Sequence, residues 1–91
     1  MTREEAIKRL ETVRDQSNQA VFTITAVVRD WENYGKSRTY LKLVETSENT
    51  RHRKELDFGY FDNTNGKYVA GRRDLAAERV YDFGGNNVVN F

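Results

Sequence analysis

The sequence predicts an α+β domain: an N-terminal helix packed on a mainly antiparallel meander sheet of four to five strands, with a short helix near the C-terminus. Three observations carry this. Helical spacing of apolar residues is confined to the start of the chain, period-two alternation dominates from Ala20 onward, and the links between alternating runs are too short for the crossover that parallel pairing needs.

Thr2 and Glu5 have the spacing of a capping box, in which the threonine oxygen accepts from a first-turn amide and the glutamate reaches back to the cap amide, so a helix should begin at about Arg3. Ala6, Ile7, Leu10 and Val13 recur at three- and four-residue intervals and form one apolar stripe, while Glu4, Lys8, Glu11, Arg14 and Asp15 fall elsewhere. Ser17 and Asn18 end the helix. Residues 20–29 are rich in β-branched side chains, with Phe22, Ile24, Ala26 and Val28 on one parity and Val21, Thr23, Thr25 and Val27 on the other. A strand semi-apolar on both faces is expected in the middle of a sheet.

Residues 31–37 contain Asn33 and Gly35 and read as a connection. Alternation resumes over 38–46, with Leu41 and Leu43 on one face and Tyr40, Lys42 and Val44 on the other. A polar turn at 47–50 leads to a third strand over 51–62, in which Leu56, Phe58 and Tyr60 share a face and Phe61 is left on the opposite one. Asn65 and Gly66, within the turn at 62–66, tolerate the positive φ of a tight hairpin, which returns as a strand over 67–70. A short helix capped by Asp74 is expected within 71–79, over Leu75, Ala76 and Ala77. A strand over 80–83, a turn at Gly84 and Gly85 and an apolar run over 88–91 follow.

Ninety-one residues make one domain, 1–91, because smaller pieces could not bury a core. Hydrophobic residues at 37% and aromatics at 12% support folding, and a net charge of +1 gives no overall field toward nucleic acid or anionic lipid, so electrostatic function must come from local patches. The absence of cysteine removes disulfides, thiolate metal sites and cysteine nucleophiles and fits a reducing, cytoplasmic compartment. The start does not have the form of a secretory signal and no segment has the length and apolarity of a membrane span, so no membrane partner is expected.

Most catalytic chemistries lack their parts. Asp57-Phe58-Gly59 and its echo Asp82-Phe83-Gly84 have the form of the kinase metal tripeptide, but the glycine-rich loop, strand lysine and catalytic loop are missing. The turn at 62–66 superficially matches a calcium loop, yet placing Gly66 at the sixth position puts Phe61 where a carboxylate ligand belongs. His52 is the sole histidine and is flanked in sequence by Arg51, Arg53 and Lys54, a setting that disfavours the imidazolium. Ser17, Ser37 and Ser47 occupy turn contexts, and the carboxylates Glu55, Asp57, Asp62, Asp74, Glu78 and Asp82 read as solvated charge rather than a glycosidase pair. No catalytic residue, metal site or cofactor is expected.

Two surfaces suit binding. Trp31 and Tyr34 lie in a segment read as a loop, and loop-borne aromatics anchor protein interfaces; the basic cluster Arg51, Arg53 and Lys54 would complete a partner-binding surface. For single-stranded nucleic acid, cations at Arg51, His52, Arg53, Lys54, Arg72 and Arg73 would track phosphates while Phe61 and Tyr68 stack on bases. The final apolar run, Val88 to Phe91, could serve self-association as an open edge strand. In general character, a very short, turn-rich chain without catalytic machinery resembles the accessory proteins of phages and mobile elements, anti-CRISPR inhibitors among them, which act by binding and blocking host machinery. That resemblance is one of style and rests on no particular residue. The expectation is a non-enzymatic binding module or inhibitor engaging a protein or nucleoprotein partner, with single-stranded nucleic-acid binding and homo-oligomeric self-association as alternatives.

Overall fold

A computed structural model describes residues 1–17, 22–48, 51–75, 79–81 and 88–90, the last two segments through their backbone. Helix α1 spans Arg3–Gln16. Thr2 caps it by accepting from the Glu5 amide at 3.1 Å, and the Thr2 hydroxyl donates to the Glu5 carboxylate at 3.3 Å, where the capping-box pattern directs that carboxylate to the cap amide. Glu4 and Glu5 in the first turn and Arg14 in the last match the helix dipole, and the Ser17 amide closes the end on the Arg14 carbonyl.

Four antiparallel strands follow in simple meander order: β1 Thr23–Asn33, β2 Lys36–Thr46, β3 Arg53–Asp62 and β4 Lys67–Ala70. β1 is therefore an edge strand, not the central one its two-sided apolar pattern suggested. A meander places its first strand at the margin, and the apolarity of β1 has other causes, considered below. Nor are residues 31–37 an open connection. β1 runs on to Asn33, β2 begins at Lys36, and only Tyr34 and Gly35 turn, with φ +49° and +78°. Two successive positive φ values match the right-handed twist of a hairpin, which a looser loop would not.

α1 packs Ala6, Leu10 and Val13 onto one face of the sheet, with Ile7 partly buried beside them. That face supplies Ile24, Leu41, Leu43, Phe58 and Phe61, and Leu75 closes the cluster. Here the structure corrects the parity of β3. Between Leu41 and Lys42 the register to β3 slips by one, so that Leu41 opposes Gly59 while Lys42 opposes Asp57 and Phe58 is the extra residue of a β-bulge. Leu56 and Phe58 face the helix as expected, but beyond the bulge the phase reverses: Phe61, 5% exposed, enters the core and Tyr60 turns away from it to pair with Tyr40.

The bulge explains the Asp57-Phe58-Gly59 tripeptide. Asp57 Oδ1 accepts from the Gly59 amide at 2.8 Å, and Gly59 adopts φ +100° with no room for a Cβ, which would stand 2.0 Å from the Val69 carbonyl oxygen. The echo at 82–84 lies outside the described residues, as does the body of the helix expected within 71–79. Strands β5 Arg79–Tyr81 and β6 Val88–Asn90 form a separate two-stranded antiparallel sheet, in which 88–90 is paired along one side.

A polar clasp ties the helix to the sheet. Arg3 donates to both carboxylate oxygens of Asp30, at 3.1 and 2.8 Å, and to Thr39 Oγ1 at 3.1 Å. The fully buried Thr39 donates to Asp30 at 2.7 Å and accepts from Asn63 Nδ2 at 3.0 Å. Asp30 is thereby held below the ordinary carboxylate pKa, first by Thr39 and then by Arg3.

Candidate binding surface

The face of the sheet opposite α1 carries the larger set of exposed functional side chains, and its order follows from the strand register. Three cross-strand rows define it: Arg29–Tyr40–Tyr60–Val69, Trp31–Arg38–Asp62–Lys67 and Val27–Lys42–Asp57. Aromatic and basic groups thus alternate along β1 and β2, from Arg29 to Trp31 and from Arg38 through Tyr40 to Lys42, while β3 adds Tyr60 between Asp57 and Asp62. The Arg38 guanidinium lies 4.4 Å from the Tyr60 ring centroid and 5.7 Å from that of Trp31, and donates to the Tyr40 hydroxyl at 3.2 Å. Tyr40 and Tyr60 meet at 5.4 Å between centroids. A groove of about 470 Å³ runs beside this stack, bordered by Val27, Arg29, Trp31, Lys42, Glu55 and Asp57.

Charges on this face are largely matched. Lys42 and Arg53 both reach Glu55, at 3.1 and 2.9 Å, and hold its carboxyl below the usual range, Lys42 being the larger influence. The hydrogen bond to the Tyr40 hydroxyl, with the Asp62 carboxylate nearby, raises the Arg38 guanidinium above its ordinary pKa. Arg29 stands on the groove's rim, exposed, beside Tyr40 and within reach of an incoming anion.

At the end of the β1–β2 hairpin, Tyr34 is 98% exposed in left-handed backbone. Of the expected partner-contact residues, Trp31 and Tyr34 fall at the same end of this hairpin, Trp31 half-buried on the sheet face rather than in a loop. Arg51, Arg53 and Lys54 do not form one patch. Arg53 lies in the row of Thr23 and Thr46 on the groove's face, whereas Lys54 pairs with Glu45 on the face toward α1. His52 sits 2.6 Å from the buried Glu45 carboxylate and stacks on Phe22 at 4.6 Å, so the cations flanking it in sequence are not its principal neighbours.

The rings expected to stack on bases are structural. Phe61 is core, and the Tyr68 hydroxyl donates to the Phe58 carbonyl and accepts from the Leu75 amide at 2.8 Å; burial raises the Tyr68 pKa. Arg72 is exposed, and the Arg73 amide binds the Asp57 carbonyl at 3.0 Å. Sequence reading missed Arg29, Arg38, Tyr40 and Tyr60 as a surface. Taking Tyr34-Gly35 as a two-residue turn would have paired Trp31 with Arg38 and Arg29 with Tyr40, but Tyr60 also required the bulge.

No family model, curated protein or solved structure matches the chain. Among the described residues no cluster of metal-ligating side chains occurs and no helix is long and apolar enough to cross a membrane.

Proposed function

We propose that the chain is a binding module that engages a protein partner through the end of the β1–β2 hairpin, with Tyr34 as the protruding anchor and Trp31, Arg29 and the adjoining groove as the surrounding contact. The observation that carries this reading is Tyr34 itself. A tyrosine in left-handed backbone costs on the order of 1 kcal/mol relative to Asn or Gly, and a fully exposed ring gains no packing within the domain in return. Aromatic side chains of this kind release their energy when a partner desolvates them.

Replacing Tyr34 with Asn separates function from folding. Asn-Gly is the preferred sequence for this turn, so Y34N should melt at a higher temperature than the native protein yet capture less partner in a pull-down from host lysate. Full capture by Y34N, with full capture also by Trp31→Ala, would reject the hairpin as the contact.

The interleaving of Trp31, Tyr40 and Tyr60 with Arg29, Arg38 and Lys42 supports a second reading, single-stranded nucleic-acid binding across the open face. It requires oligonucleotide affinity that falls steeply with salt and weakens in Tyr60→Ala and Arg29→Ala, with Y34N unaffected.

A further inference from the structure

We infer that the outer edge of β1 is a self-pairing interface, joining two copies of this chain antiparallel about a two-fold axis at Val27 into one continuous eight-stranded sheet. The inference is independent of the role proposed for Tyr34.

β1 is an edge unlike most. It pairs with β2 through all 11 of its residues without a register shift, and its other side has no strand partner among the described residues. Natural edges are commonly blunted by shortness, proline, bulges or lysine. β4, the opposite edge, is only 4 residues long and begins with Lys67. β1 has no proline, bulge or lysine, its charges Arg29, Asp30 and Glu32 lie beyond its middle, and over Thr23, Ile24, Thr25, Ala26, Val27 and Val28 it carries no charge, proline or glycine. Val28 leaves 37% of its surface in solvent at that margin. The two-sided apolar pattern of this strand belongs to a central strand, which is the position self-pairing would give it.

Backbone polarity and charge together select the register. A two-residue turn of this type closes on a hydrogen-bonded pair, here Asn33 and Lys36, so Asn33, Trp31, Arg29 and Val27 turn their peptide groups toward β2. Asp30, Val28, Ala26 and Ile24 turn theirs outward. The Asn63 amide bonding the Ser37 carbonyl at 2.9 Å on the far side of β2 agrees with this alternation. Axes at Arg29 or Asp30 would set identical charges directly opposite each other, which is unfavourable. An axis at Val27 sets Val27 opposite itself, Ala26 opposite Val28 of the second copy, Thr25 opposite its Arg29, Ile24 opposite its Asp30 and Thr23 opposite its Trp31. The centre is then apolar, no like charges meet, and the outward peptide groups of Ala26 and Val28 find partners. Both helices lie on one face, and both grooves on the other.

Because the chain lacks cysteine, one introduced thiol reads the register. Val27 would form a non-hydrogen-bonded pair with its copy, with Cα atoms about 4.5 Å apart, inside the range a disulfide spans. Val27→Cys should form a disulfide-linked dimer under mild oxidation. Thr25→Cys, about 13 Å from its equivalent along the strand, should not. Val28→Pro removes an outward amide without removing a bond to β2, so it should convert a sedimenting dimer to monomer with an unchanged circular dichroism spectrum. A native protein that sediments as monomer at high concentration, or Val27→Cys crosslinking no faster than Thr25→Cys, overturns the proposal. The cysteine comparison decides the matter even if Val28→Pro fails to fold.

Discussion

The two faces of the four-stranded sheet use the same alternation of residues for opposite ends. Beneath α1, the face is largely apolar and closed: Leu41, Leu43, Phe58 and Phe61 cluster with Ala6, Leu10 and Val13, and its buried polar side chains are partnered, Thr39 by Arg3, Asp30 and Asn63 and Glu45 by His52. The opposite face carries rings and cations held in a ladder beside an open groove, although Val44, which the register places on it, is buried. Burial therefore separates the residues that hold the domain together from those available to a partner, although both sets contain aromatics.

This contrast is sharpest under substitution. Phe58→Ala should destabilise the domain by about 3–5 kcal/mol, measured by urea unfolding. Gly59→Ala should rival it, since positive φ strain and the clash with Val69 each contribute about 1–3 kcal/mol. If either variant unfolds at the native midpoint, the bulge is not where the core closes. Next in size are the buried polar ties. Tyr68→Phe should cost about 1–3 kcal/mol by stranding the Leu75 amide, and Thr39→Val about 0.5–1.5 kcal/mol, since Asp30 keeps Arg3 and Asn63 keeps Ser37.

The clasp also makes stability depend on pH. Asp30 has a lowered folded pKa, so its contribution is complete above the unfolded value near 3.9 and disappears as pH falls through the folded one. Tyr68 has a raised folded pKa, so its contribution is present below the unfolded value near 10 and is lost as pH rises through the folded one. In acid and alkaline melts, Thr39→Val should weaken the acid limb, leaving the part that Arg3 supplies, and Tyr68→Phe should lose the alkaline limb. The smallest effect belongs to the open face. Tyr60→Ala should cost no more than about 1 kcal/mol, the size of an exposed cation–π contact, and a loss comparable to that of Phe58→Ala would mean that this face is covered as well.

Much of this architecture is legible in the residues. The helix cap at Thr2, the stripe Ala6-Leu10-Val13, the turn at 62–66 and the meander itself follow from local spacing. What was not legible depended on partners distant in sequence. Edge or centre is decided by neighbours, so the apolar β1 has the pattern of a central strand. Trp31 has the local context of a loop because Gly35 ends a strand wherever it falls in a window, while only the paired register shows how tightly the chain turns. The binding face was obscured for the same reason: Tyr40 and Arg29 meet across strands, and Tyr60 reaches them only after a change of phase.

That change of phase at Phe58 leaves a signature readable without coordinates. Along most strands, tolerance to polar replacement alternates at every second position. In β3, intolerance should fall on Leu56 and Phe58, continue at the adjacent Gly59, and then resume on the odd-numbered Phe61, with Tyr60 tolerant and Asp57 tolerant only of side chains that still accept from the Gly59 amide. A library of single variants scored for folding would record the bulge as a skipped beat, one residue wide.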